Sequence, residues 1–142
     1  MYQTLNTSDI AHALLNDEHG GRGMNRRHPI EHFRVDADGA LVRTRLSPDG
    51  HRYQHRCSID TLQAVAHHFD GRDSDQRTLN QIAGAEQVAW TQAAVALAFL
   101  KERGIVERRG DSNHAASGDC YLDAMTEYHA LREKGPAPAD AG

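Results

Sequence analysis

From about residue 31 to residue 58 apolar and polar positions alternate with a period of two, and from residue 59 onward they recur with a period near 3.6. In the first stretch Phe33 and Val35 alternate with polar neighbours, Ala37-Asp38-Gly39 makes a turn, and residues 41–46 form a second strand. Ser47-Pro48-Asp49-Gly50 makes another turn before a third strand at residues 52–57, so a three-stranded antiparallel meander is predicted. Upstream, Ile10 with Leu14 and Ala11 with Leu15 recur at i, i+4 behind a capping Thr7. That spacing predicts a helix over residues 7–17, broken by the glycine-rich residues 20–23.

Ser58 is placed to cap a helix over residues 59–69, with Leu62, Val65, Ala66 and Phe69 on one face. Residues 70–75 are polar and turn-rich and mark a boundary between a module of residues 1–70 and a second domain of residues 76–134. In the second domain Thr78 caps a short helix carrying Leu79, Ile82 and Ala83, which Gly84 ends. A longer helix over residues 89–103 stops at Gly104, and residues 105–109 read as a short strand. A polar loop over 110–118, a returning strand at 120–122 and a final helix at 123–134 complete the pattern. Residues 135–142, rich in Gly, Pro and Ala, bury nothing and are expected to be disordered. The fold class expected is α+β.

The second domain resembles the winged-helix family, a helix-turn-helix followed by a β-hairpin wing. Leu79-x-x-Ile82-Ala83 carries the resemblance, and so does the run Phe99-Leu100-Lys101-Glu102-Arg103-Gly104-Ile105-Val106-Glu107-Arg108-Arg109-Gly110. The second run is similar to the end of a recognition helix entering its wing, and the resemblance implies binding, with duplex DNA as the usual partner. The opening Asn6-Thr7-Ser8-Asp9-Ile10-Ala11-His12-Ala13-Leu14-Leu15 also resembles the starts of small proteins carried by phages and plasmids, which implies a mobile element as genomic context.

The chemistry of the long helix departs from a DNA reader. With Ala93, Ala96, Leu97 and Leu100 on the core face, a turn of 100° per residue points Thr91, Gln92, Val95, Ala98 and Phe99 outward. DNA-reading helices present Arg, Lys, Asn or Ser there, whereas this helix has no basic residue before Lys101. Thr91, Gln92, Val95 and Phe99 are therefore the candidate partner-binding face. Three destinations are open for it: the N-terminal half of the same chain, a partner protein or second copy, and DNA.

Charge adds a second candidate. The chain has 142 residues and a formal net charge of −4, which disfavours a protein that coats nucleic acid by bulk charge. Residues 22–58 nonetheless hold eight arginines against four carboxylates. If Phe33, Val35, Val42, Thr44, Leu46, Tyr53, Cys57 and Ile59 face inward, then Arg34, Arg43, Arg45, Arg52 and Arg56 share the other face of the meander. Such a face would bind anions, either nucleic-acid backbone or an acidic protein patch, unless local carboxylates such as Asp36 and Asp38 simply neutralise it. On the wing, Arg108 and Arg109 are offset by Glu107 and Asp111, which favours an ordinary solvated hairpin.

Other chemistry is less well supplied. His51-x-x-x-His55-x-Cys57 has metal-ligand residue types, but on an extended strand its ends lie ~13 Å apart, too far for one ion. Histidines near Arg27-His28 and at His51 and His55 would make the basic face more basic below pH ~6.5. There is no phosphate-binding glycine loop, nucleophile elbow or HExxH motif, so neither enzyme activity, cofactor nor small-molecule substrate is expected. Two distant cysteines, no apolar run of membrane-spanning length and no signal-like start suggest the cytoplasm and no membrane contact. The function expected is a non-enzymatic binding protein that occupies a macromolecular partner, with a DNA-binding regulator as the reading the fold implies. Two alternatives stand beside it: a protein-protein inhibitor of host defence such as an anti-CRISPR protein, and a homodimerisation module of a plasmid system.

Overall fold

Three strands, β1 (Ile30–Val35), β2 (Leu41–Leu46) and β3 (Arg52–Cys57), pair antiparallel in the order β1-β2-β3, as the period-two pattern predicts. They belong to a computed structural model that describes residues 30–71 and 77–135. The expected helix over 7–17, its glycine-rich stop, residues 72–76 of the boundary and the tail beyond Gly135 lie outside the described residues. Asp36 shapes the first turn, its Oδ1 accepting from the backbone N–H groups of Asp38 and Ala40, each at 3.0 Å. Gly39 completes that turn at φ +87°, a conformation L side chains rarely adopt.

The register corrects the expected division of faces. Phe33 pairs with Arg43 and Val35 with Leu41, and across the next ladder Leu41 pairs with Cys57 and Arg45 with Tyr53. Directly opposed residues share a face, so odd-numbered positions lie on one side of the sheet and even-numbered positions on the other. Phe33, Val35, Leu41 and Cys57 thus share a face with Arg43 and Arg45, while Val42, Thr44 and Leu46 share the reverse face with Arg34, Arg52 and Arg56. The five arginines do not form one surface. The expected inward set had crossed from odd to even positions between β1 and β2, and the five-residue turn does not change parity. Tyr53, expected inside, is 49% exposed.

Two helices begin where the sequence places them. Ser58 caps α1 (Ile59–His68), its Oγ accepting from Thr61 N at 3.1 Å. Thr78 and Gln81 form a reciprocal capping box at the start of α2 (Leu79–Glu86). Gly84 does not end α2. The helix runs on to Gln87, which takes the left-handed conformation at φ 56°. Val88 N–H then bonds Ala83 O at 3.1 Å and Gln87 N–H bonds Gly84 O at 3.3 Å, a Schellman closure with Val88 packed on the core.

The central helix, α3 (Trp90–Glu102), leads into a hairpin of β4 (Val106–Arg109) and β5 (Ser112–Ala115). The returning strand is therefore β5 and not residues 120–122. Gly110, at φ +63°, lets the chain reverse within two residues, and Asn113 buries itself by donating its Nδ2–H to Arg77 O at 2.8 Å. The backbones of Arg77 and Asn113 form an antiparallel bridge, so the segment before α2 pairs with the hairpin. Cys120, Tyr121 and Leu122 instead open α4 (Cys120–Lys134). Two carboxylates hold that helix start: Asp119 accepts from Leu122 N at 3.0 Å, and Asp70 accepts from Cys120 N at 2.7 Å and Tyr121 N at 3.0 Å.

One apolar cluster joins the two halves of the chain. It contains Phe33, Val35, Leu41 and Cys57 from the sheet, Leu62 and Val65 from α1, and Val95, Phe99 and Leu100 from α3. Tyr128 of α4 belongs to it and donates its hydroxyl to Gly39 O at 2.5 Å, tying the last helix to the first turn. No helix of the described residues is long and apolar enough to cross a membrane.

Candidate binding groove

The expected partner face of α3 is largely interior. Val95 is 1% exposed and Phe99 is fully buried, with the Phe99 ring edge-on to Phe33 at 5.4 Å between centroids. Of the three open destinations, these two side chains have gone to the N-terminal half of their own chain. Gln92 is also engaged within the chain, its Oε1 accepting from the backbone N–H of Ser58 at 2.9 Å and so bracing the start of α1. Only Thr91 of the four stands exposed.

What α3 leaves open is a different strip. Trp90, Thr91 and Glu102 are exposed and Ala94, Ala98 and Lys101 half-buried, and at 100° per residue they fall within about 120° of the helix circumference. The sheet covers the helix on one side of this strip and the hairpin on the other. A groove of about 340 Å³ results, floored by Ala94, Leu97 and Ala98. Arg43 of β2 lines one wall; Arg108, Asp111 and Asn113 of the hairpin line the other. Trp90 and Leu79 close the end nearest α2, and Lys101 stands at the far end.

Each cation is held by the local fold. Arg43 is brought inward because it is odd-numbered, on the Phe33 side of the sheet, and its Nε donates to Glu31 Oε2 at 2.7 Å. Arg108 alternates with Glu107 and Arg109, so it shares the inner face of β4 with buried Val106. Its Nε donates to Gly110 O at 2.9 Å, which fixes the guanidinium beside the hairpin turn. Burial pushes the Lys101 ammonium below its ordinary pKa, and the neighbouring guanidiniums of Arg108 and Arg43 push the same way, against Glu31. Trp90 is 53% exposed, and its Nε1–H donates to Asn80 Oδ1 at 2.7 Å, so the ring is anchored while its face stays open.

The other expected site residues are placed elsewhere. Arg45 lies 3.7 Å from Glu31 beside Arg43. Arg56 pairs with Asp36 on the reverse face, where Arg52 also lies. Arg34 lines a second cleft of about 280 Å³ with Arg132 and Asp36. Arg109 points away from the groove and pairs with Glu107. His51 is bonded to Asp49 at 3.0 Å, and no group of His, Cys, Asp and Glu able to hold a metal occurs among the described residues.

Sequence reasoning turned Ala98 outward but missed Trp90, Ala94 and Lys101. One signal was available: Trp90 is the chain's single tryptophan, and it stands at the first turn of the long helix. Taking it as outward would have rotated the assigned faces. The arrangement offers three cations, one carboxylate (Asp111) and an open indole over a small-residue floor. Arg43, Lys101 and Arg108 give the groove the means to hold an anion. Compared with family models, with curated proteins and with solved structures, the chain matches none of them.

Proposed function

We propose that this chain is a non-enzymatic binding protein of winged-helix type that acts by occupying an anionic macromolecular partner. The observation that carries the reading is the recessed strip of α3, open between two walls that bring Arg43, Lys101 and Arg108 to one groove. The order α2, α3 and the β4–β5 hairpin supports the winged-helix assignment, because that family is a helix-turn-helix followed by a hairpin wing. The reversal at Gly110 makes the hairpin a tight wing.

A DNA-binding regulator is the second reading, favoured by the position of Arg108 next to α3. The recess weighs against it. A recognition helix about 10–12 Å across enters a major groove about 12 Å wide by standing proud of its domain. Here the sheet and hairpin flank α3, and the residues nearest its axis are alanines.

Trp90 makes the reading testable without a label, since fluorescence at the tryptophan band comes from the groove alone. Titration with heparin, a polyanion, is expected to change that fluorescence, and salt is expected to reverse the change. Lys101→Glu and Arg108→Glu should abolish the response, while Lys134→Glu, the same charge change on α4, should leave it intact. A protein whose Trp90 emission ignores heparin at low salt, or loses its response equally in all three variants, would sink the proposal.

A further inference from the structure

The groove is more specific than a cationic patch. We infer that it takes a single-stranded nucleic-acid segment, with one base stacked on Trp90 and the adjoining phosphates running along Arg43, Lys101 and Arg108. The inference rests on the proposed reading of the groove as the binding site and names the class of its ligand.

Trp90 carries the first part of the argument. A half-exposed indole on a helix would ordinarily offer solvent both a polar N–H and an apolar ring. Here the N–H is already spent on Asn80, at 2.7 Å, and the same bond holds the ring in place. The remaining offer is a rigid aromatic face at 53% exposure, at the mouth of a basic groove. Bases stack on such a face whatever their identity, because each has a π-face of its own. A chain of carboxylates would satisfy the cations and leave this ring uncovered.

Dimensions carry the second part. Trp90 and Lys101 are eleven residues apart on one helix, about 16 Å at 1.5 Å per residue, which is the reach of a few nucleotides. The floor between them is Ala94 and Ala98, whose short side chains let a sugar-phosphate backbone lie close to the helix. The recess that excludes a duplex admits one strand.

Charge carries the third part. Arg108 and Arg43 both act on Lys101 as like charges, and a phosphate lying between them would relieve that repulsion. The carboxylates nearby are Asp111, on the hairpin wall, Glu31, which is occupied by Arg43 and approached by Arg45, and Glu102, at the edge of the strip, which pairs with Arg103.

The test uses the full chain and fluorescein-labelled oligothymidylate of twelve nucleotides, read by anisotropy at low salt. A blunt duplex of equal length is measured in parallel, with poly-L-glutamate as competitor and heparin retention followed by chromatography. The single strand is expected to bind at least about tenfold tighter than the duplex, with log affinity falling against log salt at a slope near −2 for three neutralised phosphates. Trp90→Ala should weaken the oligonucleotide about tenfold, a clearly larger loss than in heparin retention, and Trp90→Phe should restore most of the loss. Circular dichroism of both variants establishes that they fold.

The failures are distinguishable. If heparin is retained but the oligonucleotide does not bind, this inference is overturned while the groove keeps its role as a binding site. Poly-L-glutamate that binds as tightly as the oligonucleotide assigns the groove to an acidic protein segment and overturns it too. Equal affinity for duplex, or equal loss of heparin and oligonucleotide in Trp90→Ala, removes the stacking argument. If no polyanion binds at all, the proposed function itself has failed.

Discussion

The ring of Phe99 on α3 meets the ring of Phe33 on β1 edge to face, with centroids 5.4 Å apart and planes 67° apart. This contact joins the N-terminal sheet to the helical half, because both rings sit inside the shared core at 5% exposure or less. Removing it should act as a core deletion. Phe99→Ala is expected to destabilise the protein by about 3–5 kcal/mol, read from urea unfolding followed by circular dichroism. Phe99→Leu should cost less, and Phe99→Glu should leave no cooperative transition, since it places a carboxylate among the apolar side chains of the core. A folded Phe99→Glu protein with near-native stability would show that the face is surface after all.

The same contact shows what the sequence could and could not reveal. Strand limits at 41–46 and 52–57, the caps Ser58 and Thr78, and the start of the hairpin were all legible, because each depends on neighbours along the chain. Which face of α3 is open was not. A helix with Ala, Val, Leu and Phe on most of its circumference gives no sharp polar boundary, and its covering sheet lies more than thirty residues upstream. The parity of the β1–β2 register was likewise set by turn geometry, which sent Arg43 and Arg34 to opposite faces. The second hairpin strand was hidden because Ser112-Asn113-His114-Ala115 has no apolar alternation; Asn113 is buried through a hydrogen bond, not through hydrophobicity.

Tyr128 and Gly39 form a second long-range tie. The phenol hydroxyl donates to Gly39 O within the core, and a Cβ added at Gly39 would stand 3.3 Å from the Tyr128 hydroxyl oxygen while φ is +87°. Tyr128→Phe keeps the ring and leaves a buried carbonyl unpaired, so a loss of about 1–3 kcal/mol is expected. Gly39→Ala combines backbone strain with the close approach and should be comparably harmful. If Tyr128→Phe unfolds at the wild-type urea midpoint, the hydrogen bond contributes nothing net.

Asp70 tests how α4 is fixed. Its two oxygens accept from consecutive backbone N–H groups at the helix start, fifty residues along the chain, and α4 packs against α1 through the same corner. His67 stacks on Tyr121 there, at 3.9 Å between ring centroids. Asp70→Ala leaves those donors without their partner and removes a charge matched to the helix dipole. A loss of about 1–2 kcal/mol is expected, with faster hydrogen exchange confined to the first turn of α4. Unchanged exchange at Cys120 and Tyr121 would mean that water or Asp119 replaces the carboxylate without cost.

Alkaline pH should expose the two thiols energetically. Burial pushes the Cys57 thiol from 9.0 up to about 12 and is also the main cause of the rise at Cys120, to about 11, to which Asp70 adds. Cys57 is fully buried, with its Sγ–H directed at Ser58 O at 3.3 Å. For each thiol the folded pKa lies above the unfolded one, so the folded form binds its proton more tightly. Their contribution to stability is complete below about pH 9 and is lost as pH rises from there towards 11 and 12. The urea midpoint should therefore fall between pH 9 and 11 by more in the wild type than in Cys57→Ala. Lysines and tyrosines titrate in the same window, and taking the difference between the two proteins cancels them. At pH 8 a thiol reagent such as Ellman's should label neither cysteine in the folded protein and both in urea, and labelling should proceed no faster than unfolding. Rapid modification of Cys57 under native conditions would contradict its burial between β3 and the helices.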